Sequence, residues 1–163
     1  MKVLFVSTNR SREVMPPMPL GIASLVPYLN SNSHPSWVLD LMFEDQPEGA
    51  LRDAITEFQP DVVAFSIRNF ENQLMIRSEF TLPEVKVLVD QVRRESPAKV
   101  IVGGAALGVL SKSIFRYLQP DAAVTGEAED LIAAILDALE DDVFPQKMPG
   151  LMTAGDLSLI HIS

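Results

Sequence analysis

The chain has 163 residues, 47% hydrophobic and 21% charged, which suits one compact domain with a sizeable core. A formal charge of −9 argues against a nucleic-acid partner, since phosphate binding requires a basic face. The absence of cysteine removes disulfides, thiolate metal sites and a cysteine nucleophile. No segment approaches the roughly 18 apolar residues of a membrane span, and Met1-Lys2 leads straight into a strand rather than a signal peptide. A cytoplasmic protein with no membrane association is expected.

Val3–Val6 is a short apolar run and predicts a buried first strand, followed by the polar loop Ser7-Thr8-Asn9-Arg10. The proline-rich Met15–Pro19 continues that loop, because proline fixes φ and removes a donor. A helix is predicted from Leu20 to about Leu29, with Ile22, Leu25, Val26 and Leu29 on one face and Pro27 kinking or shortening it. Trp37–Met42 predicts the second strand. Leu51, Ala54, Ile55 and Phe58 give helical spacing over Glu48–Gln59, and Pro60-Asp61 closes it before the third strand, Val62–Ile67.

After the irregular Arg68–Gln73, Pro83 suits the first turn of a helix carrying Val85, Leu88, Val89 and Val92. The fourth strand, Lys99–Val102, ends on Gly103-Gly104. A helix follows over Leu107–Gln119, then a short fifth strand, Asp121–Thr125, and a final helix from Gly126-Glu127 to about Glu140. Glu127, Glu129 and Asp130 stand in its first turn, where the helix dipole favours anions. No internal repeat or low-complexity segment is visible.

Five strands alternate with helices, and each strand reads as continuously apolar, as expected when both faces are covered. The predicted architecture is a doubly wound, flavodoxin-like (Rossmann-like) α/β fold, a five-stranded parallel sheet with helices on both faces. The domain is placed at 1–142 and a linker at 143–156. Residues 157–163, Leu-Ser-Leu-Ile-His-Ile-Ser, resemble the translation of a transposon-end adapter used in DNA sequencing libraries, and are set aside from fold reasoning. An ordinary amphipathic tail is the alternative.

On a parallel sheet, ligands bind at the carboxyl ends of the strands. That edge collects Ser7, Thr8, Asn9 and Arg10, then Ser66, Ile67, Arg68 and Asn69, then Gly103, Gly104 and Ala105, then Thr125, Gly126 and Glu127. These hydroxyls, amides and bare backbone suit hydrogen bonding to a polar ligand rather than proton transfer. Receiver-type phosphorylation would need aspartates after the first strand, where Ser7-Thr8 stands. Neither a dinucleotide fingerprint nor a P-loop is present. His34, in a Ser/Asn/Pro turn, reads as a solvated surface residue, and His161 belongs to the suspect tail, so no histidine-based metal site or catalytic base is expected. Met15 and Met18 read as loop packing, and Glu127 as helix-start electrostatics.

Pro19-Leu20-Gly21, Pro60–Ser66, Ile101–Gly104 and Asp121–Glu127, in that order and spacing, resemble the N-terminal cobalamin-binding domain of cobalamin-dependent radical S-adenosylmethionine (radical SAM) enzymes. Ser66-Ile67-Arg68-Asn69 followed by Phe80-Thr81-Leu82-Pro83 sharpens the likeness toward one branch. It spans about residues 1–152. The resemblance implies a cobalamin-binding module whose ligand's nucleotide tail passes Gly103-Gly104 near Ser66. Ser7–Arg10, Leu20-Gly21 and Thr125–Glu127 would line the remainder. The Asp-x-His-x-x-Gly motif of other cobalamin domains is missing after the first strand, which implies base-off cobalamin without a histidine lower ligand; Arg10, Arg68 or water could approach the cobalt. The family's Cys-x-x-x-Cys-x-x-Cys motif is also missing. The resemblance therefore implies a catalytically incomplete piece, with S-adenosylmethionine and the 4Fe–4S cluster belonging to a radical SAM domain in cis in the parent. A flavodoxin-like domain binding FMN or another nucleotide at the same edge is the alternative, and a structural domain docking a partner is a third.

Overall fold

A computed structural model describes residues 1–11, 18–69, 81–141 and 148–158, with the side chains of Asp130, Leu157 and Ser158 set apart. Met15, Phe80, His161 and residues 70–73 and 143–147, all used above, lie outside the described residues. Six strands form one sheet in the order β2-β1-β3-β4-β5-β6: β1 (Val3–Ser7), β2 (Ser36–Asp40), β3 (Val62–Ser66), β4 (Lys99–Gly103), β5 (Ala122–Val124) and β6 (Leu151–Thr153). The first five are parallel, in the flavodoxin-like order expected. The strand count of five is corrected to six, and the sheet is mixed: Leu151–Thr153, assigned to a linker, pairs antiparallel with β5. A stretch that follows Pro149-Gly150 reads as a linker, and the pairing covers an edge that β5 would otherwise leave open.

The helices are α1 (Leu20–Ser31), α2 (Pro47–Phe58), α3 (Leu82–Glu95), α4 (Leu107–Leu118), α5 (Glu129–Glu140) and the short α6 (Ala154–Ser158). Strand side chains alternate between faces. Leu4, Val6, Val63, Phe65, Val100 and Val102 therefore pack under α2, α3 and α4. Val3, Phe5, Val62, Ala64, Ile101 and Val124 pack under α1 and α5. Among the described residues no helix is long and apolar enough to cross a membrane.

Four local expectations are corrected. α1 runs through Pro27 to Ser31, since Pro27 and Ala23, whose carbonyl loses its donor, both face solvent and water can serve that carbonyl. The second strand ends at Asp40, whose carboxylate accepts from Met42 N and starts a 3-10 turn over Leu41–Phe43. α5 begins at Glu129, leaving Glu127 in the preceding turn. His34 is buried rather than solvated, 3% exposed, at the amino edge of the sheet. Its Nδ1 lies 3.1 Å from the Met1 amine and its Nε2 3.2 Å from Asp137 Oδ1. A polar neighbourhood in sequence did not reveal partners more than 30 residues away.

Candidate functional site

Strand register draws the carboxyl-end residues into a row. Ser7 pairs with Asp40 on one side and Ser66 on the other, and Ser66 pairs with Gly103. Counting by twos from Phe5, Ala64 and Ile101 places Ser7, Ser66 and Gly103 on the face covered by α1 and α5. Both helices begin at this edge, with Leu20 and Gly21 exposed at the head of α1. Ser24 Oγ, one turn in, lies 3.0 Å from Gly21 O and 3.1 Å from Glu129 Oε1, tying the two helix heads together.

The glycines here divide into two kinds. A Cβ on Gly21 or Gly126 would meet nothing within 4 Å, and one on Gly103 only Val124 at 3.8 Å or more. Gly21 and Gly126 therefore look into open space, and Gly103 has ordinary van der Waals room. Gly104 differs: at φ +104° its Cβ would stand 2.6 Å from Ile67 O and 2.8 Å from Ile67 N. Ile67 N donates to Gly103 O at 2.8 Å and Ile67 O accepts from Ala106 N at 3.1 Å, so this glycine fastens the β3 end to the β4–α4 turn. Ala105 is exposed on that turn.

The remaining predicted residues do not all converge. Thr8 N and Oγ1 both donate to Ser66 O, at 3.2 and 3.0 Å, pinning the first loop to β3. Asn9 Oδ1 accepts from Ser11 N within that loop. Arg10 turns to the opposite face, donating to Glu44 O at 3.3 Å and standing 3.9 Å from Glu84. There it lines a cleft of about 420 Å³ with Leu41, Pro47 and Leu88. The Ile67 side chain is fully buried in the core under α2–α4. Arg68 is exposed and has no ion pair among the described residues; Asn69 O accepts from Thr81 Oγ1. Thr125 N and Oγ1 both reach Gly150 O, at 2.7 and 3.2 Å. Gly126 takes φ +89°, and Glu127 is exposed beyond it.

Ser24 and Gly150 were not among the sequence candidates. Nothing in a lone helical serine marks it. Gly150 fell within the linker expected at 143–156. Among the described residues no group of three or more His, Asp or Glu could hold a metal ion. The edge presents Ser7, Ser66 and Gly103 on the α1/α5 face.

Comparison with known proteins bears on the fold and the family. Tryptophan 2-C-methyltransferase of Streptomyces laurentii is 26% identical over 151 residues, which are 90% of this chain and 25% of that enzyme. The chain thus spans about a quarter of the length of the curated relative it matches. Among solved structures, the radical S-adenosylmethionine methyltransferase TsrM from Kitasatospora setae, with cobalamin and a 4Fe–4S cluster bound, superposes with a TM-score of 0.85 at 23% identity. That match covers 93% of this chain and 28% of TsrM. The cobalamin-dependent S-adenosylmethionine radical enzyme OxsB, with aqua-cobalamin and S-adenosylmethionine bound, gives 0.73 at 14% identity, over 92% of this chain and 20% of OxsB. These two show a shared fold. The family model described as "B12 binding domain" matches residues 15–136, most of the sequence. On that match, this chain belongs to the B12 binding domain family.

Proposed function

We propose that the chain holds cobalamin at the carboxyl edge of its sheet, as the cofactor module of a larger radical SAM protein. The observation that carries this is the register that sets Ser7, Ser66 and Gly103 side by side on the α1/α5 face, with no neighbour where a Cβ on Gly21 or Gly126 would stand. A slender polar arm fits such a row because no Cβ fills it and serine hydroxyls can donate or accept along its length. Bound cobalamin would supply cobalt-centred group-transfer chemistry to a catalytic domain. The chain's own residues bind and orient it. Ser66 and Gly103 would meet the nucleotide tail, while Leu20, Gly21, Gly126 and Glu127 would border it.

A base-off cofactor without a histidine lower ligand is part of this reading. The loop Ser7–Arg10 carries no imidazole, and His34 is committed to Met1 and Asp137 at the opposite edge. Of the two arginines considered for the cobalt face, Arg10 is engaged with Glu44 and Glu84 under the other helix layer, which leaves Arg68 available. The radical SAM partner domain, with its S-adenosylmethionine and iron–sulfur cluster, would lie in cis. The cysteine-free composition and the fourfold greater length of the relative support that arrangement.

Titration with hydroxocobalamin tests the proposal. We expect saturable one-to-one binding, with a visible spectrum in which the dimethylbenzimidazole base has left cobalt. No binding, or FMN binding in its place, overturns the reading.

A further inference from the structure

We infer that Gly150 is a positioning residue for the cofactor edge, through a clasp that β6 closes over the Thr125–Gly126 turn. The inference rests on the cobalamin reading above. Thr125 is held to one carbonyl twice, its N and its Oγ1 both reaching Gly150 O at 2.7 and 3.2 Å. Gly150 adopts φ +84°, and a Cβ there would stand 2.8 Å from Thr125 O and 3.4 Å from Leu131 Cδ2. Only glycine lets the chain lie this close in this conformation. From that point the strand zips along β5, with Leu151 opposite Val124, Met152 opposite Ala123 and Thr153 opposite Ala122. Asp156 Oδ2 closes the far end by accepting from Thr153 N at 2.7 Å and lying 3.0 Å from Thr153 Oγ1. Met148 and Leu151 pack against the α1/α5 core, the same face that carries Ser7, Ser66 and Gly103.

Gly126 itself, at φ +89°, has no described residue within 4 Å of where its Cβ would stand. The turn that borders the open row is therefore restrained from the β5 side through Thr125. A hydroxyl expected to touch the ligand is instead spent on the clasp. Thr125 and Gly150 act on the ligand by placing Gly126 and Glu127.

Substitution Gly150→Ala in the full chain tests this, read by amide hydrogen exchange and by hydroxocobalamin titration. We expect exchange at Leu151–Thr153 and at Gly126-Glu127 to rise about tenfold or more, while β1, β3 and β4 keep wild-type protection. The cobalamin Kd should rise about tenfold. Faster exchange in β6 with both the Gly126-Glu127 exchange and the Kd unchanged overturns the inference, reducing β6 to an edge cover. Should Gly150→Ala not fold, Thr125→Val removes the hydroxyl bond and keeps the shape. It should shift both readouts in the same direction, with Thr125→Ser restoring them, and no shift in Thr125→Val overturns the inference. If the wild-type chain binds no cobalamin, the cofactor reading falls, and exchange at Gly126-Glu127 alone decides for or against the clasp.

Discussion

Gly104 stands at φ +104° with the Ile67 backbone where its Cβ would be, whereas Gly103 stands in a strand with ordinary room beside it. The pair looks like one feature in sequence, and its two members answer to different neighbours. Gly104→Ala must either strain φ or push the β3 end away, which costs about 1–3 kcal/mol. Gly103→Ala adds a methyl that meets only Val124 at van der Waals distance, and stability should stay within about 1 kcal/mol of wild type. That methyl nevertheless enters the open row beside Ser66, so cobalamin affinity should fall. Urea midpoints and hydroxocobalamin titrations of the two variants separate the effects. Equal destabilisation, or a Gly103→Ala protein that binds normally, would remove Gly103 from the site.

Between elements, the tie that pH reports on joins α2 to α3. Gln91 is 1% exposed on α3; its Nε2 donates to Glu48 O at 2.8 Å and to Glu95 Oε2 at 3.1 Å. Arg52, on α2, reaches Glu95 Oε1 at 3.1 Å. The Gln91 amide first, and the Arg52 guanidinium with it, hold the Glu95 carboxyl below its ordinary value of 4.5. A carboxylate lowered in the folded state adds stability that is present above its unfolded value and is lost as pH falls through the folded one. Glu95→Gln should therefore flatten the decline in urea midpoint below about pH 4.5 while changing the slope little near neutrality. An unchanged acid limb would show the tie to be energetically silent. The pairing could not be read from sequence, because it depends on two helices lying side by side over one sheet face. Strand entries were partly legible. Gln-Pro-Asp occurs at 59–61 and again at 119–121, and in each case Gln closes a helix in the left-handed conformation. Asp61 then accepts from Lys2 N and Asp121 from Val100 N, each fastening a neighbouring strand start. Pro60-Asp61 signals a helix end in sequence, while the strand-start bonds of the two aspartates depend on neighbouring strands.

Across the whole molecule, apolar runs between helices sufficed for the five parallel strands, their order and the helices on both faces, since burial on both faces of β1, β3, β4 and β5 leaves a strong local signature, while edge strand β2 exposes Trp37 and Val38. The sixth strand, buried His34 and the direction taken by Arg10 depended on contacts from distant chain, which no local pattern encodes. The site was legible as an edge, and register resolved it into a face. Ser7, Ser66 and Gly103 look toward α1 and α5, and Arg10 looks away. A ligand in that row would touch strand ends, both helix heads and the Thr125–Glu127 turn together, and so would bind only the folded chain. Such binding raises stability by mass action, by about 2.7 kcal/mol at a hundredfold excess over Kd. For a domain of this length each kcal/mol moves the melting temperature by roughly 2–4 °C. Hydroxocobalamin at that excess should therefore raise Tm by about 5–10 °C. The same concentration of FMN should leave it unchanged. Gly103→Ala should shrink the cobalamin shift without lowering the unliganded Tm by more than about 4 °C, the limit set by its ordinary contacts. A full-sized shift in that variant would place the ligand elsewhere than the serine–glycine row.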